Sequence, residues 1–383
     1  MLHRLDGSLA RASDRGRLSD AIVAHVDTVR ASKGRGDLTL VGRAEAAVRA
    51  DPGRHIRFDT HGRATVEAQG RTLIGGRFST PSIGELRKSA SRDGAGARLR
   101  LFVLDGASPG TDIGALQATS PPESLFQVAS QFNCLESPGA SVTDVTSYLH
   151  DSTQGPRASI SALPGTLVRH YAAPGRDGVR FMQASAGRQI ELLEDVTATG
   201  IATVRSGYLL PSDVVDSAAF ARRLEERFDR IRIGLHEDVE VALGYDWDGA
   251  VEGPRTITQV FTSTIAAGAY GIVEGGAGIR VCRQLLRAAY LGTLLAAAAL
   301  DKRYVALTLI GGGVFGNPIP VIWESLLWAV AEVEPYLRRD LLVAVNGRNL
   351  GESIPAVDLA AAARARSGAL IRFDRGGGVT IDA

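Results

Sequence analysis

Residues 309–318 read Leu-Ile-Gly-Gly-Gly-Val-Phe-Gly-Asn-Pro, with glycine at 311, 312, 313 and 316. Glycines lack a Cβ, so the backbone can come close to a ligand and turn successive N–H groups toward it. The positive end of a following helix would add to that field. A phosphate or diphosphate is the chemistry such a loop suits; a tight turn built for steric reasons is the competing reading. Two common phosphate motifs do not fit. No Lys-Ser or Lys-Thr pair follows the glycines, which argues against a P-loop nucleotidase. The spacing is not that of a dinucleotide fingerprint, and no fitting acid follows the next strand. A second polar group, Gln131-Phe132-Asn133, ends the apolar stretch that begins at Leu125.

The elements around the glycine loop are those that would aim it at a ligand. Tyr304 to Ile310 is a nearly continuous apolar run, as expected of a strand buried on both faces. Val321 to Leu337 has helical spacing, and Leu341 to Val345 reads as a last strand. Arg280 to Ala298 reads as a long helix, and Ile257 to Ile265 as a β-branched strand. Arg98 to Leu104 reads as a strand leading to Asp112-Ile113. Alternating helix and strand argues for a layered α/β sheet, where ligands sit beyond the carboxyl ends of parallel strands. Ala218 to Arg230 reads as a helix, with strands at Ile231–Leu235 and Glu240–Leu243 around a turn. Residues 137–156 read as loop, and 174–190 as an exposed insertion or hairpin. Near the N-terminus, Ala10 to Arg30 could hold a helix with Ile22, Val23, Val26 and Val29 on one side. Residues 55–76 look β-like.

Composition sets the bounds. The chain has 383 residues, 45% hydrophobic and 22% charged, which excludes a disordered, collagen-like or coiled-coil chain. With 43 basic and 42 acidic residues, no global field draws it to nucleic acid or an acidic membrane. Lys33, Lys88 and Lys302 are its lysines, so few amines could act as nucleophiles. Cys134 and Cys282 are too few for a disulfide scaffold or a four-cysteine zinc site, and no His/Cys cluster points to a metal. Met1 to Arg15 has no apolar core, and the longest apolar run, Leu291–Leu300, is too short to span a bilayer. The expectation is a cytoplasmic, soluble protein that does not engage membranes.

The order strand, Gly-Gly-Gly-Val-Phe-Gly-Asn-Pro, helix resembles the phosphate-binding loop of macrodomains, down to Phe315 and Pro318. The resemblance implies a three-layer α/β/α sandwich around a mixed sheet, with ADP-ribose as ligand. It spans roughly residues 98–350, flanked by an N-terminal extension (1–97) and a C-terminal tail (351–383), with a large insertion around 157–256. It implies that Gly311, Gly312, Gly313, Val314, Phe315 and Gly316 cradle the diphosphate. Asp112 and Ile113 would contact the adenine, Asn346 would lie on the adenine side, and Asn133 would face the distal ribose. Gln154-Gly155-Pro156 falls where the family's first loop would be, with Gly155 against the ligand.

Releasing ADP-ribose by hydrolysis means attack of water at the anomeric carbon of the distal ribose, through a transition state like an oxocarbenium ion. Asn133, Gln131, Glu136, Asp151 and Gln154 are the polar residues expected to flank that carbon. One branch of the family uses a lysine nucleophile, but none of the three lysines falls in either loop. The expected activity is removal of ADP-ribose from a modified protein side chain or a DNA base, without a cofactor. The alternatives are a non-catalytic ADP-ribose reader and a nucleotide-metabolite sensor.

Overall fold

The computed structural model describes residues 1–6, 12–90, 96–348 and 350–383. Its strands are β1 (Ile56–Phe58), β2 (Ala64–Ala68), β3 (Arg71–Ser79), β4 (Leu99–Gly106), β5 (Ser124–Ala129), β6 (Ala173–Pro174), β7 (Arg180–Phe181), β8 (Gly234–Glu240), β9 (Thr256–Thr262), β10 (Tyr304–Thr308), β11 (Leu341–Asn346), β12 (Leu370–Phe373) and β13 (Val379–Asp382). Among the described residues, eleven of these form one mixed sheet in the order β1-β2-β3-β8-β9-β5-β10-β11-β4-β12-β13, and β6 pairs with β7 as a separate hairpin. The run from β9 to β12 is parallel throughout. β8 and β13 flank it antiparallel. Every residue of β10 and β11 is buried, which is why their sequences are apolar without alternation.

Helices cover both faces, and two glutamines show how. Phe126 of β5 pairs with Gln259 of β9, and Gln127 with Val260, so Gln127 and Gln259 point to opposite faces. The Gln127 Nε2 donates to the Ala289 carbonyl at 3.1 Å and the Thr293 hydroxyl at 2.9 Å, both on the helix Gly275–Ala299. The Gln259 Nε2 donates to the Ala158 carbonyl at 2.9 Å, on the helix Gln154–Ser161. Each glutamine thus ties the sheet to a different helical layer, giving the three-layer sandwich.

Several segments differ from the sequence reading. The stretch 231–243 holds one strand, β8, instead of two around a turn. Its polar break at Glu237-Asp238 is a bulge: the register shifts between His236 and Val239, and Asp238 takes φ 56°. The helix near 218 ends at Glu226, and the one near 321 runs from Ile319 to Val333. Ala10 and Arg11 of the expected first helix lie outside the described residues; from Ala12 it continues to Ser32 and buries Ile22, Val26 and Val29. The segment read as an N-terminal extension contributes β1, β2 and β3 to the main sheet. Position 157 falls inside the helix Gln154–Ser161, and β8 lies within the stretch read as an insertion. The segment read as a tail supplies the helix Ala356–Arg364 and β12, which pairs with β4. Among the described residues, no helix is long and apolar enough to cross a membrane.

Candidate functional site

The parallel strands deliver their carboxyl ends to one edge of the sheet. There, residues following β5, β9, β10 and β11 line a cavity of about 300 Å³. Ser130 and Gln131 come from β5, Ser263 and Thr264 from β9, Thr308 to Val314 from β10, and Asn346 to Arg348 from β11. The opposite wall is Glu136 to Pro138, Asp151, and the start of the helix Gln154–Ser161.

The glycine loop leaves β10 and returns at Asn317. Gly311 has φ 73°, and a Cβ there would meet Thr264 and Asn317, so glycine is required by both conformation and space. The buried Asn317 closes the loop: its N–H donates to the Gly311 carbonyl at 2.9 Å and its Nδ2 to the Ile265 carbonyl at 2.9 Å. The Cys282 thiol donates to the Asn317 Oδ1 at 2.8 Å. Inside this frame, the N–H groups of Gly313, Val314 and Phe315 have no acceptor among the described residues. A Cβ on Gly313 would meet nothing within 4 Å. Successive unpaired N–H groups facing open space form an anion-binding cradle. Gly316 does not line the cavity; its φ of 56° brings its backbone against Gly268.

The first wall is held from behind. Gln131 lines the cavity, but its amide is used internally: its Oε1 accepts from the Ser137 N–H at 3.0 Å and its Nε2 donates to the Ser137 carbonyl at 3.2 Å. The Tyr208 hydroxyl donates to the same carbonyl at 2.8 Å. Tyr208 also packs with Tyr270 and Phe315, ring centroids 5.4 to 5.8 Å apart, at one side of the cavity. The carboxylate of Glu45 accepts from the N–H groups of Val145 and Thr146 and from the Tyr171 hydroxyl, anchoring the turn that leads to Asp151.

Glu136 lines the cavity and is buried, at 4% exposure. Its N–H donates to the Tyr148 hydroxyl at 2.8 Å, while its Oε1 has no partner. Burial pushes its carboxyl well above the usual range; the Arg169 guanidinium opposes the shift, Asp151 adds to it, and the Ser159 hydroxyl opposes it. Arg169 is itself fully buried and lowered to about 10 by burial. It donates to the Cys134 carbonyl, the Thr166 hydroxyl and the His236 Nδ1.

A Cβ on Gly155 would overlap the Ala129 carbonyl and press on the Glu136 carboxylate. Gly155 is therefore needed to seat its helix beside Glu136. Asp151, at the cavity, accepts from the Thr153 N–H at 2.9 Å.

Four buried polar atoms on this cavity's residues lack any partner: Glu136 Oε1, Gln154 Nε2, Thr308 Oγ1 and Asn346 Oδ1. Buried polar groups are ordinarily paired, because an unmade hydrogen bond costs about 1–3 kcal/mol. A polar ligand in the cavity would complete their bonding.

Three more expected site residues, besides Gly316, lie off the cavity. Asn133 is fully buried away from the cavity; its Nδ2 donates to Gln189 at 3.0 Å and its Oδ1 accepts from the Leu135 N–H at 3.1 Å. Its amide shapes the turn after β5 and has no face for a ribose. Asp112 caps the helix Ile113–Ala118 through the Ala115 N–H at 2.8 Å and pairs with Arg157 at 3.0 Å. Ile113 is buried, and its N–H donates to the Gln154 Oε1 at 3.0 Å. Neither lines the cavity. Sequence reasoning missed Thr308, Ser263 and Thr264, although polar residues at the ends of buried strands are a readable signal. Tyr208 and Tyr270 sit outside the long helices and strands, in a bridge and a short 3-10 turn, and carried none.

No family model matches the chain, and no curated protein matches it. Solved structures do. Poly(ADP-ribose) glycohydrolase from Thermomonospora curvata aligns at 15% identity and a TM-score of 0.43, over 84% of this chain and 97% of that one. The same enzyme bound to the inhibitor ADP-HPD aligns at 13% identity and a TM-score of 0.38 over the same shares. Poly(ADP-ribose) glycohydrolase from Deinococcus radiodurans in complex with ADP-ribose aligns at 14% identity and a TM-score of 0.40, over 72% of this chain and 92% of that one. At these values no residue role is transferred from those proteins.

Proposed function

We propose that the protein is an ADP-ribosyl hydrolase that releases ADP-ribose from a modified protein side chain or DNA base. The observation that carries this reading is one cavity lined by both the N–H groups of Gly313–Phe315 and a buried carboxyl, Glu136, whose Oε1 has no partner among the described residues. The cradle suits a diphosphate. The carboxyl, raised by burial, suits a general acid. In this scheme Glu136 donates its proton to the leaving atom as the bond from that atom to the anomeric carbon breaks. The Asp151 carboxylate offsets the positive charge that develops on the ribose. Water then adds to the anomeric carbon, and its proton returns to Glu136, so the enzyme is regenerated and free ADP-ribose leaves.

Thermal denaturation with ADP-ribose, followed by turnover on ADP-ribosylated protein and on ADP-ribosylated DNA, tests the reading. Ligand at about 100 times Kd should add about 2.7 kcal/mol to stability. No shift with ADP-ribose sinks the proposal. A shift without cleavage of either substrate leaves a reader of ADP-ribose, and no hydrolase.

A further inference from the structure

Two buried titratable residues behind the cavity wall take no part in the scheme above. Tyr148 is fully buried in the 3-10 turn Val145–His150, and His170 is buried near the end of the helix Leu163–Tyr171. They meet at one hydroxyl. The Tyr148 oxygen accepts from the Glu136 N–H at 2.8 Å and lies 2.7 Å from the His170 Nε2. The Glu136 N–H can only donate, so the hydroxyl's own proton goes to the imidazole. His170 therefore accepts through a bare Nε2 and carries its proton on Nδ1. Arg169, Tyr148 and Tyr171 face the ring. Burial, reinforced by the Arg169 guanidinium, lowers His170 to about 3, so it stays a neutral acceptor.

The residues before Glu136 are pinned separately. The Arg169 Nε donates to the Cys134 carbonyl at 3.2 Å, and the Gln183 Nε2 to the Asn133 carbonyl at 3.1 Å. Cys134 itself has φ 62°, a left-handed conformation that a cysteine keeps only where its surroundings hold it. Glu136 leaves this turn with little room: a Cβ on Gly155 would come within 2.5 Å of its Oε2. Resting on the hydrolase reading above, we infer that His170, acting through the Tyr148 hydroxyl, is a positioning residue for Glu136. The pair fixes the backbone of the acid and so aims its carboxyl at the leaving atom. Without the Tyr148 oxygen, the Glu136 N–H is a buried donor with nothing to meet. Without His170, the hydroxyl loses the acceptor that keeps its oxygen turned to Glu136. Neither Tyr148 nor His170 lines the cavity, so neither touches the ligand. The pair governs the chemical step and leaves ligand affinity alone.

The test compares turnover, ADP-ribose affinity and Tm in wild type, Tyr148→Phe, His170→Leu and His170→Gln. Tyr148→Phe and His170→Leu should lose about ten- to hundred-fold in kcat, with Kd for ADP-ribose within about three-fold of wild type. His170→Gln places an amide oxygen near the position of Nε2 and should recover most of the kcat lost in His170→Leu. A folded Tyr148→Phe with kcat within about two-fold of wild type overturns the inference. So do equal losses in kcat and affinity, which a loosened wall alone would give. A folded His170→Gln with no recovery also overturns it, since volume alone would then account for the loss. If these variants fail to fold, wild type decides through the nitrogen NMR shifts of its imidazoles. His170 should be neutral, with its proton on Nδ1, from about pH 5 to about pH 8. A proton on Nε2 overturns the inference, because the Tyr148 hydroxyl then has no acceptor there. Absence of wild-type turnover on both ADP-ribosylated protein and ADP-ribosylated DNA removes the hydrolase reading, and the inference with it, whatever the tautomer.

Discussion

Replacing Glu136 with glutamine should change how stability responds to pH. The carboxyl is 4% exposed, and burial raises it well above an ordinary glutamate. The groups facing it are Arg169, Asp151, Ser159, Tyr148, Cys134 and Tyr208. Below the unfolded value near 4.5 both states hold the proton, and pH has no leverage. Above it the unfolded chain releases the proton and the folded chain keeps it. Stability therefore falls as pH rises through the window up to the folded value, by about 1.4 kcal/mol per pH unit. With 383 residues, the unfolding entropy is about 0.8 kcal/mol/K, so each pH unit corresponds to a Tm change of about 2 °C. Glu136→Gln has nearly the same shape and no proton to lose. Scanning Tm of both proteins from pH 5 to 8, the difference between them should widen in the variant's favour as pH rises. Turnover by the variant should fall on the order of 10²–10³ at every pH. Parallel Tm curves would refute the view of Glu136 as a neutral buried acid. Full turnover by the variant would remove it from the chemistry.

Gly313→Ala should leave Tm unchanged, because a Cβ there meets no protein atom within 4 Å. Gly313→Glu should fold equally well yet lose ADP-ribose affinity by about 100-fold or more, read by calorimetry, since its carboxylate would occupy the diphosphate cradle. Gly155→Ala should cost about 1–3 kcal/mol in chemical denaturation, because its Cβ overlaps the Ala129 carbonyl and presses on Glu136. Asn133→Ala should cost about 1–3 kcal/mol of stability through the unpaired Leu135 N–H. It should weaken ADP and ADP-ribose binding by the same factor; a selective loss for ADP-ribose would return Asn133 to the distal ribose.

The buried strands and the glycine loop were legible because their constraints are local. Val305–Leu307 and Leu341–Val345 are apolar on both faces, and the glycine loop stands out by the density of glycines between a buried strand and a helix. What failed was long-range. Nothing in the spacing of Asp112 announces that Arg157 will take its carboxylate. Nothing in Asn133 announces that its amide will donate to Gln189. The strands β12 and β13 were missed for a related reason: each is four residues long, and they become strands by pairing at the edge of a sheet assembled elsewhere in the chain. Gln131 and Glu136 were both named from sequence. Only the structure separates the one whose amide is spent on Ser137 from the one with an oxygen to spare.

The position of β4 bears on how the chain comes off the ribosome. β4 ends at Gly106, yet both strands it lies between, β11 and β12, begin at Leu341 or later. At about 5–20 residues per second, the segment Leu101–Leu104, fully buried in the finished protein, waits on the order of 10–50 seconds for its first neighbour. Throughout that interval it is an apolar strand with two bare edges. Production in cells should therefore depend on chaperones that shield nascent apolar segments. Fragments ending before residue 341 should aggregate, even though they carry most of the cavity's first wall.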